Sequence, residues 1–171
     1  MNRLTILTGK IGSGKTTALY EWIKDKSGCD GILTRVINEK RFFHFIKSKE
    51  MRALETTGNS TETSSIKVGK YNFDEHVFDE ARNYLEDAAK LKPDVLIVDE
   101  AGPLELQGKG FEPLLSRILE LLDKNELKHL LIVVRESLLN EFIKHYKIDP
   151  KTVNIITKEQ FNQLAIDANC N

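Results

Sequence analysis

The stretch that most constrains the fold is GKIGSGKTT, residues 9–17, which directly follows the apolar run LTILT. It matches the phosphate-binding P-loop pattern G-x-x-x-x-G-K-[ST]. Such a loop lies between a buried strand and a helix, because loop N–H groups and the positive end of the helix face the same phosphate. The pattern predicts nucleotide contacts from Gly9, Lys10, Ile11, Gly12, Ser13, Gly14, Lys15, Thr16 and Thr17. We expect Lys15 to reach the β- and γ-phosphates and Thr16 to bind Mg²⁺ through its hydroxyl.

A second pattern, VLIVDEAGPLEL at residues 95–106, combines an apolar strand with two adjacent acids at its end. Burying two unpaired carboxylates would cost several kcal/mol. P-loop enzymes place a carboxylate at the end of a neighbouring strand to hold Mg²⁺, so Asp99 is the predicted metal-linked acid. Glu100 faces another direction and is the predicted base for the attacking water; the alternative is an N-cap or a solvated acid.

The remaining pattern alternates apolar strands with amphipathic helices. We predict strands over residues 3–8, 31–37, 41–46, 51–56, 95–98, 130–134 and 153–156. Helices are predicted over 15–26, 74–91, 111–122, 137–146 and 158–168, and the polar residues 56–65 form a predicted loop. This order indicates one α/β domain over residues 1–171, with the three-layer P-loop NTPase fold. Its sheet is mainly parallel with an antiparallel hairpin portion, and helices cover both faces.

Composition excludes several other classes of protein. The 171 residues are 40% apolar and 30% charged with a formal net charge of −1, which argues against a general nucleic-acid-binding surface. Cys29 and Cys170 are far apart and fit no zinc-ligand spacing. No apolar run approaches the length of a membrane span, and no basic-then-apolar leader opens the chain. We therefore expect a cytoplasmic protein without membrane contact; the pattern identifies no protein partner.

Further residues have two readings each. Arg135 follows the strand 130–134 and is either an arginine finger for the γ-phosphate or a structural residue that caps the strand end or pairs with Glu136. A basic cluster in residues 35–52 is either a solvated hairpin face or a site for an acceptor phosphate or nucleic acid. Trp22 has the helical spacing of a core residue, although a ring can also stack on a base. Tyr71 is a candidate to border the nucleotide.

Three motifs together identify a resemblance to the THEP1 family of nucleoside-triphosphatases. They are the P-loop, the stretch Asp99-Glu100-x-Gly102-Pro103-x-Glu105, and Val68-Gly69-Lys70-Tyr71, with the segment GILTR at residues 31–35 in the corresponding place. The resemblance covers nearly the whole chain and implies a RecA-like fold and slow hydrolysis of ATP, GTP and related nucleotides. It also implies that Ala101, Gly102 and Glu105 line the nucleotide side, without giving Glu105 a role.

Three functions stay open at this point. The first is an Mg²⁺-dependent nucleoside-triphosphatase that uses Glu100 to activate water. The second is a nucleoside or nucleotide kinase, although no segment has the several arginines of a kinase lid. The third is a slow nucleotide-dependent switch that acts on a protein or RNA partner. Adjacent Asp and Glu after the strand favour the first.

Overall fold

The computed structural model describes residues 2–55, 65–68 and 71–169. Nine strands and six helices are present in that part of the chain. The strands are β1 Leu4–Gly9, β2 Cys29–Ile37, β3 Lys40–Phe45, β4 Met51–Ala53, β5 Ser65–Val68, β6 Tyr71–Asp74, β7 Val95–Ala101, β8 Leu130–Arg135 and β9 Val153–Thr157. The helices are α1 Lys15–Ile23, α2 Glu75–Lys90, α3 Pro103–Leu106, α4 Leu114–Asp123, α5 Leu139–His145 and α6 Lys158–Asn169.

Seven strands form one sheet in the order β4-β3-β2-β7-β8-β1-β9. The five strands from β2 to β9 pair in parallel, whereas β3 and β4 continue the sheet in antiparallel pairing. The predicted mainly parallel sheet with an antiparallel hairpin portion is confirmed. The order places β1, which leads into the P-loop, two strands from β7, which carries the acids.

Alternate residues of the central strands point to opposite faces, and each face has its own apolar core. Ile6 and Val98 lie in the larger core with side chains of α2 and α4, whereas Leu7 and Ile97 lie in the smaller core with side chains of α1. The strands are apolar on both sides because helices cover both faces. This confirms the three-layer architecture, and the fold places the ends of β1, β7 and β8 at one edge of the sheet.

Several predicted boundaries need correction. Helix α1 ends at Ile23, three residues before its predicted end, and β4 ends at Ala53. Strand β7 continues to Ala101, so both acids belong to the strand, and its register with β8 shifts between Val98 and Ala101. The predicted loop over residues 56–65 lies outside the described residues except Ser65, which begins β5.

The hairpin of β5 and β6 and the short helix α3 were not predicted. Four-residue strands and a four-residue helix leave too few periodic positions for a pattern. The backbone of Asp74 at the end of β6 donates a hydrogen bond to the Leu54 carbonyl over 2.9 Å, which ties this hairpin to the large sheet. The hairpin therefore extends the edge of the molecule beside β3 and β4.

Helix α2 begins at Glu75, one residue after its predicted start, and Asp74 is its N-cap, whose carboxylate accepts a hydrogen bond from His76 N over 2.9 Å. Trp22 is partly buried and packs edge-on against Phe161, which supports its reading as a core residue. Among the described residues, no helix is both long and apolar enough to cross a bilayer.

Candidate active site

The P-loop has the backbone conformation that phosphate binding requires. Gly12 and Gly14 adopt φ angles of 73° and 84°, and Gly14 is the N-cap of α1 without any side-chain cap. The first turn of α1 also contains no acidic residue. Its N–H groups are thus left for an external acceptor, and the positive end of the helix favours an anion.

Lys15 is the buried cation of this loop, with 6% of its surface exposed. Its ammonium donates hydrogen bonds to the carbonyls of Gly9 and Lys10 over 3.0 and 2.8 Å, and to Ser13 Oγ over 3.4 Å. The loop therefore folds around its own cation. The ammonium already lies inside the loop, where phosphate oxygens can compete for the same donors.

Asp99 is almost completely buried at the end of β7, with 1% of its surface exposed. Its Oδ2 accepts a hydrogen bond from Thr34 N over 3.3 Å, whereas its Oδ1 has no hydrogen-bond partner in the part of the chain that the structure describes. Burial raises the pKa of Asp99 to about 7, with a further increase from the nearby charge of Glu100; hydrogen bonding from the Thr16 hydroxyl acts in the opposite direction. A buried carboxylate oxygen without a partner needs a cation or a proton.

Glu100 forms an ion pair with Arg135 across the neighbouring strands β7 and β8. Arg135 Nε donates to Glu100 Oε1 over 2.8 Å, and a second guanidinium nitrogen contacts the same oxygen. The two side chains are 26% and 30% exposed, so the pair faces open space and not the core. Arg135 pairs with Glu100 and not with Glu136, the partner considered from the sequence.

A cavity of about 380 Å³, here called the P-loop cavity, brings most of the predicted residues together. Its lining includes the seven residues 11–17 together with Asp99, Glu100 and Arg135. Gly9 and Lys10 do not line it, but their carbonyls hold Lys15. Ala101 is buried in the larger core.

Gly102 and Glu105 line a neighbouring cavity, and the Glu105 carboxylate is used by the backbone. Glu105 Oε2 accepts from Gly102 N over 2.7 Å and Oε1 accepts from Phe111 N over 3.0 Å. The side chain therefore caps α3 and holds the loop that follows it. Burial raises the pKa of Glu105 to about 7, against the effect of these two hydrogen bonds.

Sequence reasoning missed four residues that line the P-loop cavity, namely Tyr20, Glu21, Thr34 and Val36, whereas Arg35 and Arg41, which also line it, belong to the basic cluster considered from the sequence. The guanidinium of Arg35 lies 3.8 Å from the centre of the Tyr20 ring. Arg41 lies at the same distance over Tyr71 and forms an ion pair with Glu55 over 3.4 Å. Thr34 was detectable as the polar residue of GILTR, whereas the other three needed the tertiary structure.

The basic cluster of residues 35–52 does not form one patch. Arg52 pairs with Glu50 and Glu80 on the exposed edge, whereas Arg35 and Arg41 face the P-loop cavity. Arg52 therefore fits a solvated hairpin face, whereas Arg35 and Arg41 lie where a phosphate would bind.

Comparisons with known proteins identify the family of this chain. A family model described as NTPase matches residues 4–167. The nucleoside-triphosphatase THEP1 of Archaeoglobus fulgidus is 27% identical over 162 residues, which cover 90% of this chain and 93% of that protein. THEP1 of Sulfolobus acidocaldarius is 30% identical over 122 residues, or 66% of this chain and 68% of that protein.

A solved structure supports the fold. The crystal structure of THEP1 from the hyperthermophile Aquifex aeolicus superimposes with a TM-score of 0.68 at 18% identity, and covers 96% of this chain and 95% of that one. The family model spans nearly the whole chain, and the curated relatives are named as nucleoside-triphosphatases. The chain belongs to this NTPase family, which includes the THEP1 nucleoside-triphosphatases, and it is a nucleoside-triphosphate hydrolase.

Proposed function

We propose that the protein hydrolyses ATP, GTP and other nucleoside triphosphates with Mg²⁺, and that Glu100 activates the attacking water. One observation carries this proposal: the P-loop, a buried acid with an unpartnered oxygen and a second, partly exposed acid line one cavity. The P-loop binds the phosphates and makes no contact with the nucleobase, which fits the hydrolysis of more than one nucleotide.

The residues present fit a magnesium ion. Asp99 has an unpartnered buried oxygen and lies within reach of the Thr16 hydroxyl, so these two side chains would hold the ion. Among the described residues, no group of three or more His, Cys, Asp or Glu side chains could hold a metal. A site with few protein ligands suits Mg²⁺, which keeps waters and takes oxygens from substrate phosphates. When bound, the ion neutralises negative charge on the phosphates.

Arg135 and Glu100 share one step in this proposal. In the nucleotide-free protein the guanidinium neutralises the Glu100 carboxylate. A γ-phosphate carries more negative charge than one carboxylate and competes for the guanidinium. Transfer of Arg135 to the phosphate stabilises charge there and leaves Glu100 free to accept a proton from water. Lys15 holds the phosphates on the other side.

Substitution of Glu100 tests this proposal. Glu100→Gln keeps the size of the side chain but removes the base, so nucleotide affinity should persist while turnover falls by about 10²–10⁴-fold. The measurements are phosphate release in a single turnover and binding of a non-hydrolysable ATP analogue. Glu136→Gln, at an exposed neighbour of Arg135, is the matched control and should match the unmodified protein. Full turnover in Glu100→Gln would remove Glu100 from the mechanism.

Of the two other functions considered from the sequence, the kinase alternative gains an observation, namely a second cavity beside Glu100. The nucleotide-dependent switch, the cytoplasmic location and the single domain stay predictions.

A further inference from the structure

A second cavity of about 360 Å³, here called the aromatic cavity, adjoins the P-loop cavity. Both are lined by Ile11, Thr34, Arg41, Glu100 and Arg135. The Glu100–Arg135 pair therefore forms part of the wall between them. A molecule in the aromatic cavity would contact the same carboxylate that faces the nucleotide.

The walls of the aromatic cavity are largely apolar and already packed. Phe43, Phe78 and Phe111 are at most 4% exposed. The Phe43 and Phe78 ring centres lie 5.2 Å apart at an interplanar angle of 86°, and those of Phe43 and Phe111 lie 5.5 Å apart. Such a surface cannot replace the hydration of a phosphate group, but it accommodates a flat apolar ring. Its volume lies within the range of small-molecule sites.

The charged groups at this cavity are already neutralised within the protein. Arg41 pairs with Glu55, Arg135 pairs with Glu100, and the Glu105 carboxylate accepts two backbone hydrogen bonds. A phosphorylated ligand would have to break one of these pairs to obtain a cation. A neutral ligand needs no cation from these pairs and can donate one hydroxyl hydrogen bond to Glu100.

The aromatic cavity extends from Ile11 of the P-loop, past Glu100, to side chains of β2 and β3. The P-loop follows β1, Glu100 ends β7, and Thr34 and Phe43 belong to β2 and β3 beyond it. A hydroxyl near Glu100 would therefore lie beside the carboxylate that the proposed hydrolysis uses as its base, in the place of the attacking water.

We propose that the aromatic cavity binds a neutral, hydroxyl-bearing aromatic molecule of nucleoside size or smaller, and that its hydroxyl accepts the γ-phosphoryl group in place of water. The inference rests on the proposed roles of the P-loop and Glu100. The hydroxyl oxygen forms a bond to the γ-phosphorus, and the bond from that phosphorus to the β,γ-bridging oxygen breaks. The bond's electron pair leaves with the nucleoside diphosphate, and the hydroxyl proton passes to Glu100 and then to solvent.

The probes for a test are the four common ribonucleosides, benzyl alcohol and 2-(4-hydroxyphenyl)ethanol. Each is incubated with the full-length protein, Mg²⁺ and γ-labelled ATP, and both free phosphate and labelled probe are measured. At least one probe should acquire the label while phosphate release to water falls about tenfold at saturation. The same probe should show NMR contacts to aromatic protons of the cavity in the unmodified protein.

Cavity-filling variants locate the effect. Leu54→Phe and Leu104→Phe enlarge two side chains that line only the aromatic cavity. Each should weaken probe binding and label transfer about tenfold, while phosphate release without a probe stays at its original rate. Circular dichroism reports whether each variant folds. If a variant does not fold, the NMR contacts between the probe and the unmodified protein show whether the probe binds in the aromatic cavity.

The outcomes separate this inference from the proposed hydrolysis. Normal phosphate release with no bound or labelled probe overturns the inference and leaves hydrolysis standing. A probe that binds and slows phosphate release without acquiring the label overturns the acceptor role. Label that appears on a probe, with no phosphate release when the probe is absent, instead overturns hydrolysis as the main reaction and supports the acceptor role.

Discussion

Substitution of Glu105 distinguishes two roles for this residue. One is a structural role in the fold, and the other is the position on the nucleotide side that the family resemblance implies. The residue is 2% exposed, and its two oxygens accept hydrogen bonds from Gly102 N and Phe111 N. Glu105→Ala leaves both buried donors without a partner. Each orphaned donor costs about 1–3 kcal/mol, so the free energy of unfolding should fall by roughly 2–6 kcal/mol. That is a large part of the usual total of about 5–15 kcal/mol.

The assay is urea unfolding followed by circular dichroism at pH 7, with binding of an ATP analogue measured in native conditions. Glu126→Ala, at an exposed glutamate, is the matched control and should shift stability by less than about 0.5 kcal/mol. The folded fraction of Glu105→Ala should retain nucleotide affinity. Unchanged stability with lost nucleotide affinity would refute the structural role and support the resemblance.

A double-mutant cycle with Gly110 checks the same contact from the other side. Gly110 has a φ of 63°, and a Cβ added there would lie 2.1 Å from Glu105 Oε1. Gly110→Ala should therefore destabilise the unmodified protein more than it destabilises the Glu105→Ala variant, because that variant lacks the Glu105 oxygen with which the new Cβ would clash. We expect a coupling free energy of about 1–2 kcal/mol. A coupling near zero would mean that Glu105 moves away at little cost.

Three further predictions concern pH, the P-loop and a helix cap. Burial raises the pKa of Glu105 to about 7, above the usual 4.5, so its contribution to stability is complete below about pH 4.5 and declines as the pH rises through 7. Urea unfolding should thus show the stability difference between the unmodified protein and Glu105→Ala shrinking from pH 5 to pH 8, by up to about 3 kcal/mol; a pH-independent difference would contradict this. Lys15→Ala removes the buried ammonium and should weaken binding of an ATP analogue by about a hundredfold in calorimetry, whereas unchanged affinity would count against the P-loop assignment. Asp74→Ala removes the hydrogen bond to His76 N and should lower stability by about 1 kcal/mol in thermal unfolding, while Asp74→Asn should retain most of it.

The sequence predicted the parts of the site that are local. A P-loop is one continuous stretch, and Asp99 follows a recognisable apolar run, so both needed only strand and helix assignment. The three-layer order of the fold likewise follows from alternating strand and helix patterns.

The sequence pattern did not predict contacts between distant parts of the chain. The pair of Glu100 and Arg135 depends on β7 lying beside β8, because the two residues are 35 positions apart in the sequence. The structural role of Glu105 could not be predicted either, because its hydrogen bond from Phe111 N requires the intervening loop to fold back on Glu105. The aromatic cavity is the extreme case, since apolar periodicity predicts that Phe43 and Phe78 are buried but not that space remains between the elements carrying them.

The two adjacent acids of β7 differ in their partners, and this difference leads to a prediction about magnesium. Among the described residues Asp99 is buried with an unpartnered oxygen, whereas Glu100 reaches Arg135. A nucleotide alone can compete for Arg135, but it brings a further anion toward Asp99. Nucleotide and cation together satisfy both acids, so Mg²⁺ should tighten binding of a non-hydrolysable ATP analogue strongly in the unmodified protein. Asp99→Asn removes the negative charge and should lose most of that gain, which calorimetry with Mg²⁺ or with EDTA measures directly. Asp94→Asn, at an exposed acid before the start of the same strand, is the control and should keep the full gain. An equal gain in Asp99→Asn would show that another group partners the cation.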